Sequence, residues 1–401
     1  MKPGSTIQYL NQVIPAIRAI LSFSKASPVI TFKYSKTLDN LIRNKKNFQR
    51  SLNGEPGIFV SLAKDSTQSI ENFKKEQAVH GFRTGLICLE KTGIMGVGNS
   101  WESANHYINQ LIKGSTIAVE ESEQVRSGRV QNKVCVVTGG AQGFGKGIVE
   151  ELVDEGAYVV IADNNPDKGK KTADEVNAEK GSRHVVFVQT DVTKAVSVKN
   201  MVHTAVKEFG GLDVLISNAG VLKAGSLEDM NEKMFDFVTD VNYKGYFICA
   251  KYCSSVMKTQ HQYNKDLFMD IIQINSKSGL QGSNKNFAYA GSKFGSIGLT
   301  QSFALELIPY HIKVNAICPG NFFSGPLWSD PRTGLFAQYL KTGKVPGARN
   351  IEDVKRHYES KVPMQRGCQP KDVVKAIFYL IEQEYETGQA IPVTGGQIML
   401  N

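Results

Sequence analysis

The sequence predicts an α/β protein in which a Rossmann-type, doubly wound parallel sheet follows a smaller N-terminal α/β domain. Two observations predict the large sheet: a glycine-rich turn joins an apolar run to a helical pattern at residues 134–153, and further short apolar runs follow at 158–162 and 268–274. Alternating strand and helix patterns are typical of parallel sheets that helices cover on both faces. A third observation, a separate series of such patterns before residue 113, predicts the smaller domain.

The N-terminal region has its own series of apolar patterns. They predict helices over residues 7–21, 38–52 and 100–111, and strands over residues 28–32, 57–60 and 85–89. Asn99 or Ser100 is the predicted N-cap of the last helix. The polar, charge-rich stretch 114–132 predicts a linker, so the expected units are a domain over 1–113, this linker, and a Rossmann domain over 133–401.

The turn Thr138–Gly145 is the most specific cofactor signal, with glycines at positions 139, 140, 143 and 145. A strand before such a turn and a helix after it form the context that a dinucleotide site requires. The glycines let the backbone approach a pyrophosphate, and the helix N-terminus faces its negative charge. Asp163, at the end of the next apolar run, can accept a hydrogen bond from a ribose 2′-hydroxyl and would repel a 2′-phosphate. This favours NAD over NADP, with an ordinary loop carboxylate as the alternative for Asp163.

A second pattern predicts acid–base chemistry: Ser276 lies thirteen residues before Tyr289, and Lys293 lies four residues after it. Residues four apart share one face of a helix. A Tyr keeps its proton up to about pH 10, and a nearby ammonium lowers that pKa. The pair can therefore act as base or acid near neutral pH, with Ser276 bonded to the reacting oxygen. Alone, the Tyr–Lys spacing is more typical of a solvated helix face, and the glycine turn decides against that alternative.

Residues 133–401 resemble the short-chain dehydrogenase/reductase family. The turn Thr138–Gly145 has the family's Thr-Gly-x3-Gly-x-Gly form, and Asp191-Val192 matches its adenine-contacting pair. Ser217–Gly220 matches the Asn-Asn-Ala-Gly segment with Ser in the first place, and Pro319-Gly320 matches the turn beside the nicotinamide. The predicted cofactor residues are Thr138, Gly139, Gln142, Gly143, Phe144, Gly145, Asp163, Asp191, Val192, Asn218, Ala219, Gly220, Tyr289, Lys293, Pro319, Gly320 and Ser324.

The resemblance also implies the catalytic residues. Asn242 matches the family's catalytic Asn, so that Asn242, Ser276, Tyr289 and Lys293 form the predicted set, with Asn242 holding a water that relays protons. Ser324 stands where the family usually has Thr and keeps the hydroxyl. The family's dimers and tetramers use the helix that contains Tyr289, so a homodimer or homotetramer is expected.

Segments 271–279, 361–368 and 393–397 are similar to those of sorbitol-6-phosphate 2-dehydrogenases, a group within this family. This implies NAD-dependent interconversion of sorbitol 6-phosphate and fructose 6-phosphate. Residues 324–366 contain eight Lys and Arg against four Asp and Glu, a bias that would attract a phosphorylated substrate. Lys277 and Arg366 are the predicted phosphate ligands, each with a solvated surface position as the alternative.

Two other functions stay open. One is oxidation of a non-phosphorylated polyol, a deoxysugar-derived product or another alcohol, and the other is an inactive dinucleotide-binding scaffold. Residues 89–100 resemble the later part of a class II aldolase domain, which in some bacterial proteins is fused ahead of a short-chain dehydrogenase. Thr92 stands where active aldolases have a metal-binding His, and His80 and His106 lack ligand spacing. We therefore expect no metal site and no aldolase chemistry.

The composition of the chain indicates which classes of ligand and which cellular location to expect. The net charge of +9 and the pI of about 9.0 suit anionic ligands, but no basic run is interleaved with aromatic residues, so small molecules are expected rather than nucleic acid. The six cysteines lack zinc-site spacing, and free thiols suit a reducing, cytoplasmic location. No apolar segment approaches 18 residues, which predicts no membrane helix.

Overall fold

The computed structural model describes residues 3–22, 27–52, 56–63, 65–80, 85–114, 128–332, 334–341, 343 and 345–399. These residues form a small mixed sheet and a larger, wholly parallel sheet, each packed against helices. The predicted Rossmann-type α/β fold with a smaller N-terminal α/β part is confirmed.

The smaller sheet has the strand order β1-β4-β3-β2, in which β2 and β3 are parallel and the other neighbours antiparallel. Its region comprises α1 (Pro3–Leu21), β1 (Val29–Lys33), a 3-10 turn (Lys36–Leu38), α2 (Asp39–Ile42), α3 (Lys45–Ser51), β2 (Gly57–Val60), α4 (Ser66–His80), β3 (Leu86–Leu89), β4 (Gly93–Gly98) and α5 (Trp101–Lys113). The apolar side chains predicted for the stretch 38–52 lie in one small core between this sheet and its helices.

The structure corrects one expectation here and adds one strand that the sequence did not predict. The continuous helix over residues 38–52 is wrong, because Asn44 has extended backbone and caps a second helix by accepting a hydrogen bond from the N–H of Asn47 (2.9 Å). The strand β4 was not predicted, since its glycines hide the apolar pattern. A Cβ on Gly96 would clash with the backbone of α5, so glycine is needed for this close packing. Ser100 is the N-cap of α5, as predicted.

The larger sheet is formed by the rest of the chain. Its elements are β5 (Val134–Thr138), α6 (Gly143–Asp154), β6 (Tyr158–Asp163), α7 (Pro166–Lys180), β7 (Val185–Gln189), α8 (Ala195–Phe209), β8 (Val214–Ser217), α9 (Glu232–Thr239), a π-helical turn (Asp240–Lys244), α10 (Gly245–Tyr263), β9 (Met269–Ile274), a 3-10 turn (Lys277–Gly279), α11 (Phe287–Leu307), a second 3-10 turn (Ile308–Tyr310), β10 (Ile312–Pro319), α12 (Pro326–Ser329), α13 (Leu335–Lys341), α14 (Ile351–Glu359), α15 (Pro370–Glu382) and β11 (Ala390–Val393).

The strand order β11-β10-β9-β8-β5-β6-β7 places β5 beside β8, where the direction of winding reverses. Ligands of open α/β sheets bind outside the carboxyl ends of the strands at such a switch point. The ends of β5, β6, β8, β9 and β10 are therefore where a cofactor and substrate site is expected.

The N-terminal region packs directly on the larger sheet's helices. Helix α1 lies against α8 and α10, and Ile14 and Ile17 belong to the same cluster of buried side chains as Phe209 and Met257. A shared core of this kind means that removing the N-terminal helix would expose apolar surface on α8 and α10.

Arg18 of α1 joins the two sheets through a buried ion pair with Asp213, which precedes β8. Its Nη atoms donate to both carboxylate oxygens at 2.9 and 2.8 Å. Further N–H groups of Arg18 donate to the backbone oxygens of Pro28 and Asn132. Although burial alone would raise the pKa of Asp213, the charge and hydrogen bonds of Arg18 hold it below its usual value. The start of β8 is thus fixed against α1.

The predicted linker 114–132 lies largely outside the described residues. In the described residues 128–132, Val130 is buried, and the Asn132 side chain donates to the backbone oxygens of Ser27 and Asn99. Among the described helices, none is long and apolar enough to cross a membrane. All six cysteines are buried free thiols.

Candidate active site

A cleft of about 1800 Å³ opens at the carboxyl ends of the large sheet's strands. Most of the predicted site residues line it: Gly139, Gln142, Gly143, Phe144, Asp163, Asp191, Val192, Asn218, Ala219, Gly220, Ser276, Lys277, Tyr289, Lys293, Pro319 and Gly320. Five predicted residues are not in its lining, namely Thr138, Gly145, Asn242, Ser324 and Arg366. The structure therefore brings the two sequence patterns to one place.

The glycine turn between β5 and α6 has the backbone that a phosphate site needs. Gly139 and Gly143 have φ of 64° and 62°, a region that favours glycine. A Cβ on Gly145 would clash with the carbonyl oxygen of Gly139, so this glycine permits the turn to close. Gln142 makes no side-chain cap at the start of α6, which leaves the first N–H groups of that helix available to an anion. This cradle fits a dinucleotide pyrophosphate.

Hydrogen bonds from Thr138 and Asn218 stabilise the glycine turn. The Thr138 hydroxyl accepts hydrogen bonds from the backbone N–H groups of Asn218 and Ala219, both at 3.0 Å. The Asn218 side chain donates to the carbonyl oxygens of Thr138 and Gly139, again at 3.0 Å. The ends of β5 and β8 are thereby locked together, and Thr138 acts by holding this geometry from outside the lining.

Two carboxylates stand farther along the same wall. The oxygens of Asp163 accept from the backbone N–H groups of Ala141 (3.1 Å) and Asn165 (3.0 Å). A carboxylate has further lone pairs, which can accept from ribose hydroxyls. Asp191 accepts from the backbone and hydroxyl of Thr193, which fixes the loop after β7 beside the buried Val192.

The predicted catalytic groups meet where β9 ends. Ser276 and Tyr289 both line the cleft, and the Ser276 hydroxyl is near enough to the phenol to lower its pKa. Lys293 lies one turn after Tyr289 on α11. Its Nζ donates to the carbonyl oxygen of Ile274 at 2.9 Å and lies 5.6 Å from the centre of the Tyr289 ring. One oxygen atom of a substrate can therefore contact both hydroxyls.

Burial dominates the electrostatics of this group. It raises the pKa of Tyr289, and the hydrogen bond from Ser276 offsets this only in part. It also lowers the pKa of Lys293 to about 8. The predicted lowering of the Tyr289 pKa is therefore wrong: desolvation of the phenolate is the largest influence on it, and the Lys293 ammonium donates to the backbone of Ile274 instead. Tyr289 is set as a proton donor at neutral pH.

Asn242 acts on the site from behind. It lies buried in the π-helical turn, where its Oδ1 accepts from the N–H of Val221 (2.8 Å) and its Nδ2 donates to the oxygen of Val221 (2.9 Å). The same Nδ2 donates to Ser292 (3.1 Å), whose hydroxyl donates to the backbone oxygen of Tyr289. The side chain that was predicted to hold a relay water is thus bonded to protein groups, and it positions Tyr289.

Asn275 is a site residue that sequence reasoning missed. Its Oδ1 accepts from the N–H of Ser276 (2.8 Å), and its Nδ2 donates to the backbone oxygen of Lys293 (3.0 Å). This one amide fixes the Ser276 loop to α11. A Cβ on Gly279 would clash with Asn275, so Gly279 is needed to leave room. The available signal was an amide at a buried strand end, directly before the candidate Ser.

The opposite wall of the cleft is a lid formed by α12, α13 and α14. Trp328 lies at its centre, with ring centres 5.1 Å from Phe336 and 5.2 Å from Tyr358. Leu327, Trp328, Leu335, Tyr339 and Tyr358 face the cleft. The spacing of these aromatic residues follows no regular period, so the sequence did not predict the lid's packing.

The two predicted phosphate ligands have different surroundings. Lys277 is half-buried in the cleft wall, directly after Ser276. Arg366 lies outside the cleft, where its guanidinium donates to both oxygens of Asp372 at 2.6 and 2.9 Å. That carboxylate also accepts from the N–H of Gln369 at the start of α15, so Arg366 supports a helix cap and its prediction as a substrate ligand is wrong. Ser324, also outside, accepts from Gln369.

Comparison with known proteins agrees with this geometry. Residues 133–330 match the family described as short chain dehydrogenase. Over 271 residues the chain is 38% identical to sorbitol-6-phosphate 2-dehydrogenase of Escherichia coli (strain K12), covering 67% of this chain and 99% of that protein. The chain belongs to the short-chain dehydrogenase/reductase family. It is therefore an oxidoreductase that acts on alcohol groups with a nicotinamide dinucleotide.

Two solved structures of this family extend the likeness. The crystal structure of sorbitol-6-phosphate 2-dehydrogenase from Erwinia amylovora matches with a TM-score of 0.60 and 35% identity, covering 66% of this chain and all of that one. A 3-ketoacyl-(acyl-carrier-protein) reductase from Brucella melitensis, complexed with NADH, matches with a TM-score of 0.56 and 25% identity. The match covers 67% of this chain and 99% of that one.

Proposed function

We propose that this protein is an NAD-dependent dehydrogenase that interconverts sorbitol 6-phosphate and fructose 6-phosphate. The main support is that Ser276, Tyr289 and the buried Lys293 line one cleft, together with Lys277, the residue that follows Ser276. Two relatives with that activity in their names align over about two thirds of the chain.

Three residues of the cleft suit the proton transfer that accompanies hydride transfer in this reaction. Ser276 would bind and polarise the reacting oxygen. Tyr289 would give its proton to the ketone oxygen during reduction and take it back during oxidation. Bound NAD(H) supplies or accepts the hydride. Lys293 spends one N–H on Ile274 and keeps two donors, which can bind the hydroxyls of the nicotinamide ribose.

Asp163 supports NAD as the dinucleotide. Two backbone N–H groups hold its carboxylate at the end of β6, where an adenosine ribose lies in folds of this kind. A 2′-phosphate there would meet a fixed negative charge. Lys168 is a cation of the same wall, but its Nζ is bonded to Gln142 at 2.6 Å, on the pyrophosphate side.

A substrate panel tests the proposal. Purified full-length protein is given NADH or NADPH with fructose 6-phosphate, fructose and other ketoses, and the loss of reduced cofactor is followed by absorbance. We expect the highest kcat/KM with fructose 6-phosphate and NADH. Turnover of non-phosphorylated ketones alone would refute the substrate, and NADH binding without any turnover would favour the inactive scaffold.

The lid favours one competing function. Trp328, Leu327 and Tyr339 present apolar and aromatic surface to the cleft, which suits a less polar secondary alcohol than a sugar phosphate. Cyclic and aliphatic ketones in the same panel measure this alternative directly.

A homo-oligomer is also part of the proposal. Phe247 on α10 and Phe294 and Leu305 on α11 are 43%, 47% and 80% exposed, so the helix that contains Tyr289 presents apolar side chains to its surroundings. Exposed apolar patches of this kind mark protein contacts. Light scattering during gel filtration should give a mass of two or four chains, and a monomer at micromolar concentration would contradict it.

A further inference from the structure

We propose that Lys277 and Lys361 together bind the phosphate group of the substrate. In this arrangement Lys361 takes the place that the sequence suggested for Arg366. The inference rests on the proposed sugar-phosphate function, because it names the residues that would make the site prefer a phosphorylated ketose.

Lys277 is the first member of the pair. It opens the 3-10 turn after Ser276, lines the cleft and is half-buried. Within the part of the chain that the structure describes, no Asp or Glu forms an ion pair with it. Burial lowers the pKa of Lys277, and the positive charge of Lys361 lowers it further. The two ammonium groups are thus close enough to repel each other.

Lys361 approaches from the lid. It follows α14 by two residues, and its Nζ lies 5.2 Å from the centre of the Tyr358 ring, which lines the cleft. The other basic residues of this helix are neutralised: Lys355 lies 3.8 Å from Glu352, and Arg356 lies 2.6 Å from Asp353. No such carboxylate pairs with Lys361 among the described residues.

Lys277 is half-buried and Lys361 is exposed, and no carboxylate of the described residues pairs with either to offset the repulsion between their charges. An anion that lies between them removes this repulsion and gains two charge-assisted hydrogen bonds. A phosphate monoester has a charge near −2 at neutral pH, so it matches two ammonium groups. Arg366 cannot do this without first breaking its pair with Asp372.

The placement also fits the length of the substrate. In fructose 6-phosphate the ketone is at carbon 2 and the phosphate at carbon 6, so the phosphate lies at the far end of a short chain from the reacting oxygen. Ser276 and Tyr289 would hold that oxygen. Lys277, next to Ser276, lines the space into which the rest of the molecule extends, and the exposed Lys361 lies beside the cleft-lining ring of Tyr358.

The test uses Lys277→Gln and Lys361→Gln in the full-length protein, with Lys355→Gln as the matched control on the lid. Each of the first two should raise KM for fructose 6-phosphate by about tenfold to a hundredfold, the effect of one charged hydrogen bond. KM for NADH should stay within about twofold in both. The control removes the same charge from α14, where Lys355 lies beside Glu352 and not beside the cleft-lining Tyr358, and it should change neither constant by more than about twofold.

A binding measurement separates this inference from the proposed function. Calorimetry with inorganic phosphate on the NADH-loaded protein should show binding that both variants weaken by about tenfold or more. If the parent protein turns over no sugar phosphate but shows this pattern, the proposed function fails and the phosphate subsite stands. If fructose 6-phosphate is a substrate and both variants keep its parent KM, the function stands and the subsite is refuted. Absence of both phosphate turnover and phosphate binding, or equal effects on KM for NADH, would also refute it.

Discussion

The two walls of the cleft are built in different ways. The cofactor wall depends on backbone: Gly139 and Gly143 adopt positive φ, and Asn218 bonds to main-chain oxygens. The lid wall depends on side chains, with Trp328 packed between aromatic rings from two other short helices. A backbone-defined site needs particular residues at fixed spacing, whereas a packed lid needs only enough apolar volume in the right place.

This difference decides which substitutions each wall tolerates. On the cofactor wall a single methyl group should be harmful. On the lid, shape can change while the cofactor site stays intact. We therefore expect cofactor affinity and substrate affinity to respond to different mutations, and the following measurements test that separation.

In the comparison of the two walls, the largest effect is expected on the cofactor wall. In Gly145→Ala, the added Cβ would clash with the carbonyl oxygen of Gly139 and displace the turn. We expect the Kd for NADH, measured by fluorescence titration, to rise by about tenfold to a hundredfold, since overpacking of this kind costs about 1–3 kcal/mol. Gly282→Ala is the control, because a Cβ there meets no atom within 4 Å and Gly282 does not line the cleft. Equal Kd values for the two variants would contradict the backbone account.

The next effect concerns pH. Burial raises the pKa of Tyr289, so the phenolate needed for alcohol oxidation is scarce at neutral pH and becomes more abundant as pH rises. We expect kcat/KM for oxidation to rise by up to about tenfold per pH unit as the phenolate becomes more abundant. The rise should flatten above about pH 8, because Lys293 then loses the charge with which it would bind the nicotinamide ribose. Ketone reduction, which needs the protonated Tyr289, should stay level over the same range. Faster oxidation at pH 6 than at pH 8 would contradict this assignment.

A smaller effect is expected on the lid. Trp328→Ala removes the ring at the centre of the aromatic cluster and loosens the cleft-facing surface of α12. We expect KM for the preferred ketone to rise by about tenfold or less while the Kd for NADH stays unchanged. A matching rise in the Kd for NADH would show that the two walls are not independent.

The smallest effect should be on the choice of dinucleotide. Asp163→Ser removes the carboxylate that would face the ribose 2′ position under this proposal, and it keeps a hydroxyl. We expect the preference for NADH over NADPH, as a ratio of kcat/KM, to fall by about fivefold, because one partly exposed charge contributes about 1 kcal/mol. An unchanged ratio would remove Asp163 from cofactor selection.

The same contrast explains what the sequence could predict. The turn Thr138–Gly145 and the Ser276, Tyr289 and Lys293 spacing are local patterns, and the structure brings them together at one cleft. The aromatic residues of the lid are not regularly spaced in the sequence, so the sequence could not predict how they pack. The sequence wrongly predicted Arg366 as a phosphate ligand, because its ion pair with Asp372 at the start of α15 depends on the fold.

Burial was the other hidden quantity. From spacing alone, Lys293 should lower the pKa of Tyr289, but the depth of both side chains reverses that expectation. Asn242 shows the same limit, because its amide is bonded to Val221 and Ser292, which come from a loop and from another helix. Contacts between distant segments must be seen in three dimensions.

The most direct test of the account is Tyr289→Phe, compared with Tyr385→Phe, which changes a tyrosine that is 97% exposed. Phenylalanine keeps the buried ring and removes only the hydroxyl that would move the proton. We predict that kcat for the preferred ketone falls by about a hundredfold to ten-thousandfold while the Kd for NADH stays within about twofold, and that the control keeps parent values. A Tyr289→Phe protein with parent kcat would contradict the central claim.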